Sequence, residues 1–383
     1  MRITLVSSSL GQGGAARVIC ALAGAWIEHG RHVTLITFDK DDVPAYPLHR
    51  LIVWRNLDLP SGGSKNLLQA LRRNFRKIRH LRRAIRQSQP DLVISFLDIP
   101  NIVTLLATRW LRIPVIVSEH SNPGKAKMHP VWLAMRKLIY PFADALVCPT
   151  NSILESLQKK INIPGQAIPN PVTIPSPKAK NLPHSEVLNT YVVTAMGRLV
   201  PEKGFDMLLE AFSRIAAIHP DWSLRIIGDG PLYSQLTAQT RALGLNNRVV
   251  FTGPLADPFP VLYAGDLFVF SSRFEGFGLA LMEAMACGLP VISFNCPAGP
   301  AEIIRHEIDG LLVPPEDVNA LATAMARLMA SPQERERLAS RAPEVLTRFS
   351  MKSVLARWEE LFRTLKWPHK KGSELHAGKR DRD

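Results

Sequence analysis

The chain has 383 residues, 46% hydrophobic and 21% charged, a balance that excludes a disordered or low-complexity protein and suits two domains of ordinary size. No apolar run reaches the roughly 18 residues of a membrane span. Cys20, Cys148, Cys287 and Cys296 are scattered, with no C-x-x-C and no histidine at ligand spacing, which favours thiols in a reducing cytoplasm over a zinc site. The formal net charge of +14 is unevenly placed: residues 1–172 hold 23 Lys and Arg against 10 Asp and Glu, and residues 173–383 hold 24 against 23. The basic first half is expected to meet an anionic partner: a membrane surface, a polyanionic glycolipid or nucleic acid.

Ile3–Ser7 reads as a buried parallel strand, followed by the loop SSLGQGGAARV, a helix near Ala15–Glu28 and a strand His32–Phe38. The glycines, Gly14 among them, let backbone approach a ligand beside a helix N-terminus, which suits a phosphate. The loop lacks the third glycine of G-x-G-x-x-G and the Lys-Ser/Thr of a P-loop, so it is neither fingerprint. A strand-like start broken at Gly11–Gly14 is not a signal-peptide pattern. Leu51–Trp54 reads as a short strand. Over Lys65–Arg86, Leu68, Leu71, Phe75, Ile78, Leu81 and Ile85 recur at helical spacing among nine Lys and Arg and no acid, a basic amphipathic helix. Its apolar stripe is expected to be partly core. Its polar face, with Arg72, Arg73, Arg76, Lys77 and Arg79, is a candidate surface for acidic lipid headgroups or a lipid diphosphate.

Asp91–Phe96 and Val115–Ser118 read as strands with a helix near Ile99–Leu111 between them. His120 then falls at a strand's C-terminal end, where open α/β sheets place ligands. A loop with Lys125 and Lys127, the strand Ala145–Cys148 and a helix over Asn151–Lys160 follow. The stretch from Pro164 to about Asn189, rich in proline and polar residues, reads as an interdomain linker.

Tyr191–Met196 opens a second sheet, and GRLVPEKG brings Arg198 and Lys203 into one loop ahead of a helix near Phe205–Ala217. A guanidinium fork and an ammonium so spaced can clamp a diphosphate. Ser223–Ile227 and Arg248–Phe251 are further strands, the second running into Leu255. Phe268–Phe270 then leads into SSRFEGFGLALMEAMACGLP, with a helix over Leu279–Cys287. Glu275 lies in the strand-to-helix loop. Gly276, Phe277, Gly278 and Leu279 mark the helix start, where free N–H groups favour an anion. Glu283, read as about two turns into the helix, can accept from vicinal sugar hydroxyls. Pro290–Ser293 and Gly310–Val313 complete the sheet, and helices near Asp317–Met329, Pro332–Leu346 and Met351–Leu365 close the chain. Pro368–Asp383 reads as a disordered tail.

The E-x7-E pattern within EGFGLALMEAMACGLPVI, together with GRLVPEKG, NCPAGPAE and GLLVPPED, resembles the signature of retaining GT-B glycosyltransferases of sequence family four. GGAARV is similar to the family's GGAERV, with Ala16 in place of the acid. The resemblance implies an α/β fold of two Rossmann-like parallel-sheet domains facing a cleft. The first (1–172) would bind the acceptor and the second (190–350) the nucleotide-sugar. A linker (173–189) would join them, a helix (351–366) would cross back to the first domain, and a tail (367–383) would follow. It further implies that Arg198 and Lys203 hold the donor diphosphate. Backbone at Leu255 would read the base, Glu275 and His120 would contact the donor sugar, Glu283 would bind the ribose and Gly14 would lie at the phosphates. Neither metal nor cofactor is expected; the donor, UDP-linked by family frequency and with an N-acetylhexosamine as a candidate sugar, is a co-substrate. NCPAGPAE and SEHSNP resemble segments of enzymes extending polyprenyl-diphosphate-linked glycans, with lipopolysaccharide core enzymes as the alternative acceptor class. An acceptor of either class would place the protein, cytoplasmic and peripheral, at the inner face of the cytoplasmic membrane. The competing classes are a nucleic-acid-binding protein, disfavoured because the Arg-rich helix holds one aromatic and no RNA-binding signature, and a dinucleotide-dependent oxidoreductase, disfavoured by the glycine pattern.

Overall fold

The structure is a computed structural model describing residues 1–11, 13–39, 42–59, 67–120, 129–172 and 191–365, with backbone alone for 67–71. The expected linker at 173–189, Lys65, Lys125, Lys127 and the tail lie outside the described residues. In chain order the first domain runs β1 (Arg2–Val6), α1 (Gly14–Glu28), β2 (His32–Asp39), β3 (Val53–Leu59), α2 (Leu67–Ser88), β4 (Leu92–Phe96), α3 (Asp98–Thr108), β5 (Val115–Ser118), α4 (Pro130–Ile139), β6 (Ala145–Cys148), α5 (Asn151–Gln158) and β7 (Gly165–Ala167). The second runs β8 (Tyr191–Met196), α6 (Phe205–Ala216), β9 (Trp222–Ile227), α7 (Tyr233–Ala242), β10 (Val249–Gly253), α8 (Phe259–Tyr263), β11 (Leu267–Phe270), α9 (Leu279–Ala286), β12 (Val291–Phe294), α10 (Pro300–Ile303), β13 (Leu311–Val313), α11 (Val318–Ala330), α12 (Pro332–Arg341), α13 (Val345–Arg348) and α14 (Met351–Thr364).

Both sheets are parallel, in the orders β3-β2-β1-β4-β5-β6-β7 and β10-β9-β8-β11-β12-β13. Their strands read as continuous apolar runs because helices cover both faces. In each sheet the order reverses at one place, between β1 and β4 and between β8 and β11. Loops leaving the carboxyl ends of adjacent strands diverge there and open a crevice. The two crevices face each other, which makes this a GT-B fold.

α14 leaves the second domain and packs on the first. Trp358 meets Trp26 of α1 edge-on at 5.6 Å, and both rings touch Phe362. Ser350 caps α14 by accepting from the Ser353 N–H, and Arg31 pairs with Glu359 at 2.8 Å. A crossover helix therefore completes the core of the opposite domain, as the fold resemblance implies.

Some elements depart from the sequence reading. Residues 165–167, expected within the linker, form edge strand β7, too short to show alternation; Gly165 lies so close to Leu146 that a Cβ would stand 2.9 Å from its carbonyl oxygen. The helix expected over Pro332–Leu346 ends at Arg341, where Pro343 lacks the N–H to continue it and a short 3-10 turn follows. α4 and α7 were not foreseen; α7 is mostly polar and leaves only Leu236 and Thr240 buried. α2 changes character along its length. Leu81 and Ile85 are buried, whereas Phe75 is 69% exposed.

Candidate active site in the interdomain cleft

Two loops of the second domain are stitched into one platform. Gly204, at φ +62°, closes the loop after β8; a Cβ there would stand 2.1 Å from the Ser271 carbonyl oxygen, so only glycine permits the contact. Ser271 Oγ donates to the Lys203 carbonyl at 3.0 Å, and the Arg273 N–H donates to the Glu202 carbonyl at 2.8 Å. The Arg273 guanidinium grips Asp206 at 2.9 and 2.6 Å, anchoring the same loop to α6. The segments GRLVPEKG and SSRFEGFG thus form one rigid surface.

On that platform Glu275 Oε1 accepts from Lys203 Nζ at 2.5 Å and from Ser272 Oγ at 2.6 Å. The Lys203 ammonium also stands 5.6 Å over the Phe270 ring. The sequence reading gave Lys203 to the phosphates and Glu275 to the sugar; the structure joins them. Arg198, the other clamp candidate, lies exposed at the cleft wall. Glu283 lies one turn past Leu279 rather than two, and is buried. Burial pushes its carboxyl up to about 7 against the opposing pull of Arg17 of α1, whose guanidinium pairs with Glu283 Oε1 across the cleft. That pairing was not anticipated, although Arg17 sits in the quoted GGAARV segment: a single sequence gives no sign of which helix faces which across a cleft.

α9 begins at Leu279 after Gly278, with no side chain capping it, and α1 begins at Gly14, also uncapped. Their free N–H groups face the same space. Gly14 and Leu279 touch across the domains; a Cβ on Gly14 would stand 2.9 Å from Leu279 Cδ1. Phe277 packs its ring on Phe349 and lines the cleft. Gly276 and Leu255 complete this wall.

His120, at the end of β5, closes the opposite wall. Its Nε2 bonds Ser118 Oγ at 3.0 Å, its ring lies 5.6 Å from Phe96, and burial pushes it down to about 4. Behind it Glu119 is buried, accepting from the Tyr140 hydroxyl at 2.8 Å, with Arg136 of α4 at 3.9 Å. At the rim Glu302 reaches from the second domain to the α5 start, accepting from the Asn151 N–H at 3.0 Å and its Nδ2 at 3.2 Å. Gly14, Arg17, His120, Arg198, Lys203, Leu255, Glu275 and Glu283 therefore line one cleft of about 900 Å³.

The helix candidates stand elsewhere. Arg72, Phe75, Arg76, Arg79 and His80 line an open groove of about 530 Å³ on α2. Arg73 is half-buried. Lys77 is also half-buried, its ammonium shifted down by burial against the pull of Asp39. Arg82 donates to the Ala107 and Leu106 carbonyls at the end of α3 and stands 5.1 Å from Trp110, which is 76% exposed. Among the described residues no helix is long and apolar enough to cross a membrane, and no group of three His, Cys, Asp or Glu stands at metal-binding distance.

Two facing parallel sheets, with cations, carboxylates and uncapped helix starts gathered between them, define the class of protein. Residues 180–345 match the model described as glycosyl transferases group 1, and residues 12–174 match that of glycosyltransferase family 4. The chain is 31% identical over 287 residues to the lipopolysaccharide core biosynthesis glycosyltransferase LpsD of Rhizobium meliloti, covering 74% of this chain and 78% of that protein. It is 27% identical, over 96% of this chain and 99% of the relative, to a Campylobacter jejuni enzyme named as an α-1,4-N-acetyl-D-galactosaminyltransferase of a GalNAc-GalNAc-diNAcBac-PP-undecaprenol. A 37% match to an exopolysaccharide phosphotransferase of Streptomyces coelicolor spans 74% of this chain and 30% of that longer protein. Among solved structures, Anabaena HepE in complex with UDP and glucose superposes with a TM-score of 0.79 at 21% identity, covering 95% of this chain and all of that one. The chain belongs to the group 1, family 4 glycosyltransferases.

Proposed function

We propose that the protein transfers a sugar from a nucleoside diphosphate donor, UDP-linked, to a membrane-associated glycan acceptor with retention at the anomeric carbon. The observation that carries the reading is the convergence of Arg198, Lys203, Glu275, Glu283 and the starts of α1 and α9 in one cleft. Departure of a nucleoside diphosphate leaves negative charge on the β-phosphate oxygens. Arg198, Lys203 and the N–H groups at Gly14 and Leu279 are placed to stabilise it without a metal ion. Glu275 positions sugar hydroxyls; its Oε1 is already engaged by Lys203 and Ser272, which argues against a nucleophilic role. The departing phosphate oxygen takes the acceptor proton on the face the leaving group vacates, giving retention. Glu283 receives the ribose, backbone near Leu255 the base and His120 the donor sugar.

The acceptor side is read from the basic groove of α2. Arg72, Arg76 and Arg79 beside exposed Phe75 combine charge and aromatic surface, which suits an anionic bilayer face and a lipid diphosphate. The Campylobacter relative's name supports a polyprenyl-diphosphate saccharide as the acceptor and an N-acetylhexosamine as the added sugar. The 31% match to LpsD keeps a lipopolysaccharide core acceptor as the second reading. On either reading the protein works peripherally at the inner face of the cytoplasmic membrane. The test is a thermal-shift panel. UDP should raise the melting midpoint while NADH and a single-stranded oligonucleotide leave it unchanged; stabilisation by either of the latter alone would reverse the reading.

A further inference from the structure

The contacts of Arg17 go beyond lining the cleft. It lies on α1 of the first domain, yet its principal partners belong to the second. One guanidinium nitrogen pairs with Glu283 Oε1 of α9, and the guanidinium stands 5.5 Å from the Phe259 ring of α8, with Tyr46 of its own domain at 6.0 Å. The guanidinium is thus held by an aromatic ring from each domain and aimed at one buried carboxylate.

A buried carboxylate without a counter-charge favours its neutral form, a poor acceptor for two neighbouring hydroxyls. A guanidinium on Oε1 pulls the carboxyl back toward its charged form against that burial and orients it, leaving Oε2 as the oxygen a vicinal diol would meet. The counter-charge here comes from the opposite domain. The ribose-facing carboxylate is complete only when the two domains are closed on each other.

We propose that Arg17 is a positioning residue for the nucleotide: by pairing with Glu283 across the cleft it makes the ribose subsite a two-domain site and couples donor affinity to domain closure. The proposal rests on the donor reading above. Arg17 acts on the donor only through Glu283, which distinguishes it from Arg198 and Lys203, assigned to the phosphates themselves. It also distinguishes it from Glu302, whose contact with the α5 start joins the domains without facing the donor. Binding at the ribose is remote from the reacting atoms, so loss of Arg17 raises the donor KM more than it lowers kcat.

The test is a double-mutant cycle read by calorimetric titration with UDP, repeated with GDP and ADP, on the full chain. Arg17→Met keeps the apolar length that fits between Phe259 and Tyr46 and removes the charge. It should weaken UDP binding by about tenfold, which corresponds to about 1.4 kcal/mol. Glu283→Ala should weaken it similarly, and the pair together no more than Glu283→Ala alone. Arg17→Lys, which keeps a charge but not the fork, should recover part of the loss and serves in the cycle if the methionine variant does not fold. Two outcomes overturn the proposal while leaving the donor reading intact: unchanged UDP affinity in a folded Arg17→Met protein, and additive losses in the double variant. A wild-type chain that binds none of the three nucleotides removes the donor reading, and the proposal falls with it.

Discussion

Lys203 Nζ and Glu275 Oε1 stand 2.5 Å apart, so the residue expected on the phosphates and the residue expected on the sugar form one unit. Their side chains are largely covered, and removing either leaves the other short of its partner in a place poor in water. Lys203→Met should therefore damage more than phosphate binding, lowering transfer at least as much as Glu275→Gln. Glu275→Gln keeps the shape, and a carbonyl for Lys203 and Ser272. It should leave UDP affinity nearly intact while transfer falls, whereas Glu283→Ala weakens UDP itself. Calorimetry with the two glutamate variants decides the assignment, and the reverse pattern exchanges their roles.

Arg198, the other residue proposed for the diphosphate, is exposed, and among the described residues no ion pair engages its side chain. Losing a charged hydrogen bond that tightens as the diphosphate departs costs about 2–4 kcal/mol of transition-state stabilisation. Arg198→Ala should lower kcat by that equivalent with its melting midpoint unchanged. Near-native turnover at saturating donor would remove Arg198 from the diphosphate.

Burial holds His120 near 4, below the ordinary 6.5. Between those values the unfolded chain takes up a proton that the folded chain refuses, so folding stability falls as the pH is lowered through this window. His120→Asn should flatten that loss. In the folded protein the imidazole is neutral at working pH, so the contact proposed for it with a donor sugar would be that of an uncharged hydrogen-bonding group. The pH–rate profile should show no limb from His120 near 6.5. A limb there that vanishes in His120→Asn would show a histidine titrating freely.

On α2, Arg72, Arg76 and Arg79 line the groove and Arg73 is half-buried beside it, while Arg82 is spent on the end of α3. Near an anionic surface each cation contributes roughly 1 kcal/mol, screened by salt. Changing Arg72, Arg73, Arg76 and Arg79 together to Gln should abolish sedimentation with anionic vesicles and lower activity on a lipid-linked acceptor, and should spare a short soluble one. Unchanged vesicle binding and lipid-acceptor activity would reduce this face to a solvated surface. Arg82→Gln should instead lower thermal stability, because its bonds to the Ala107 and Leu106 carbonyls are internal.

What the sequence made legible follows from what is local. The parallel strands announce themselves as apolar runs such as Leu267–Phe270, and the E-x7-E loop fixes Glu275 ahead of α9 because glycines and helix formers adjoin it. Short or polar elements such as β7 and α7 carry too little periodicity to read. Contacts between distant segments were invisible. Arg17 on Glu283, Gly14 against Leu279 and Glu302 on the α5 start each join residues more than 140 positions apart, and nothing in the local pattern of either partner specifies the other. The same holds for Lys77, whose place in a basic stripe hides that it is half-buried and feels the charge of Asp39.

The central claim is transfer from a nucleotide-sugar with retention. The direct measurement is slow hydrolysis of a panel of α-linked UDP-sugars by the full chain, followed by proton NMR of the first-formed anomer before mutarotation. The account predicts release of UDP from one sugar in the panel, with the α-anomer appearing first. First appearance of the β-anomer would contradict retention, and absence of nucleotide release from every UDP-, GDP- and ADP-sugar, with acceptor glycolipid present, would contradict the donor assignment itself.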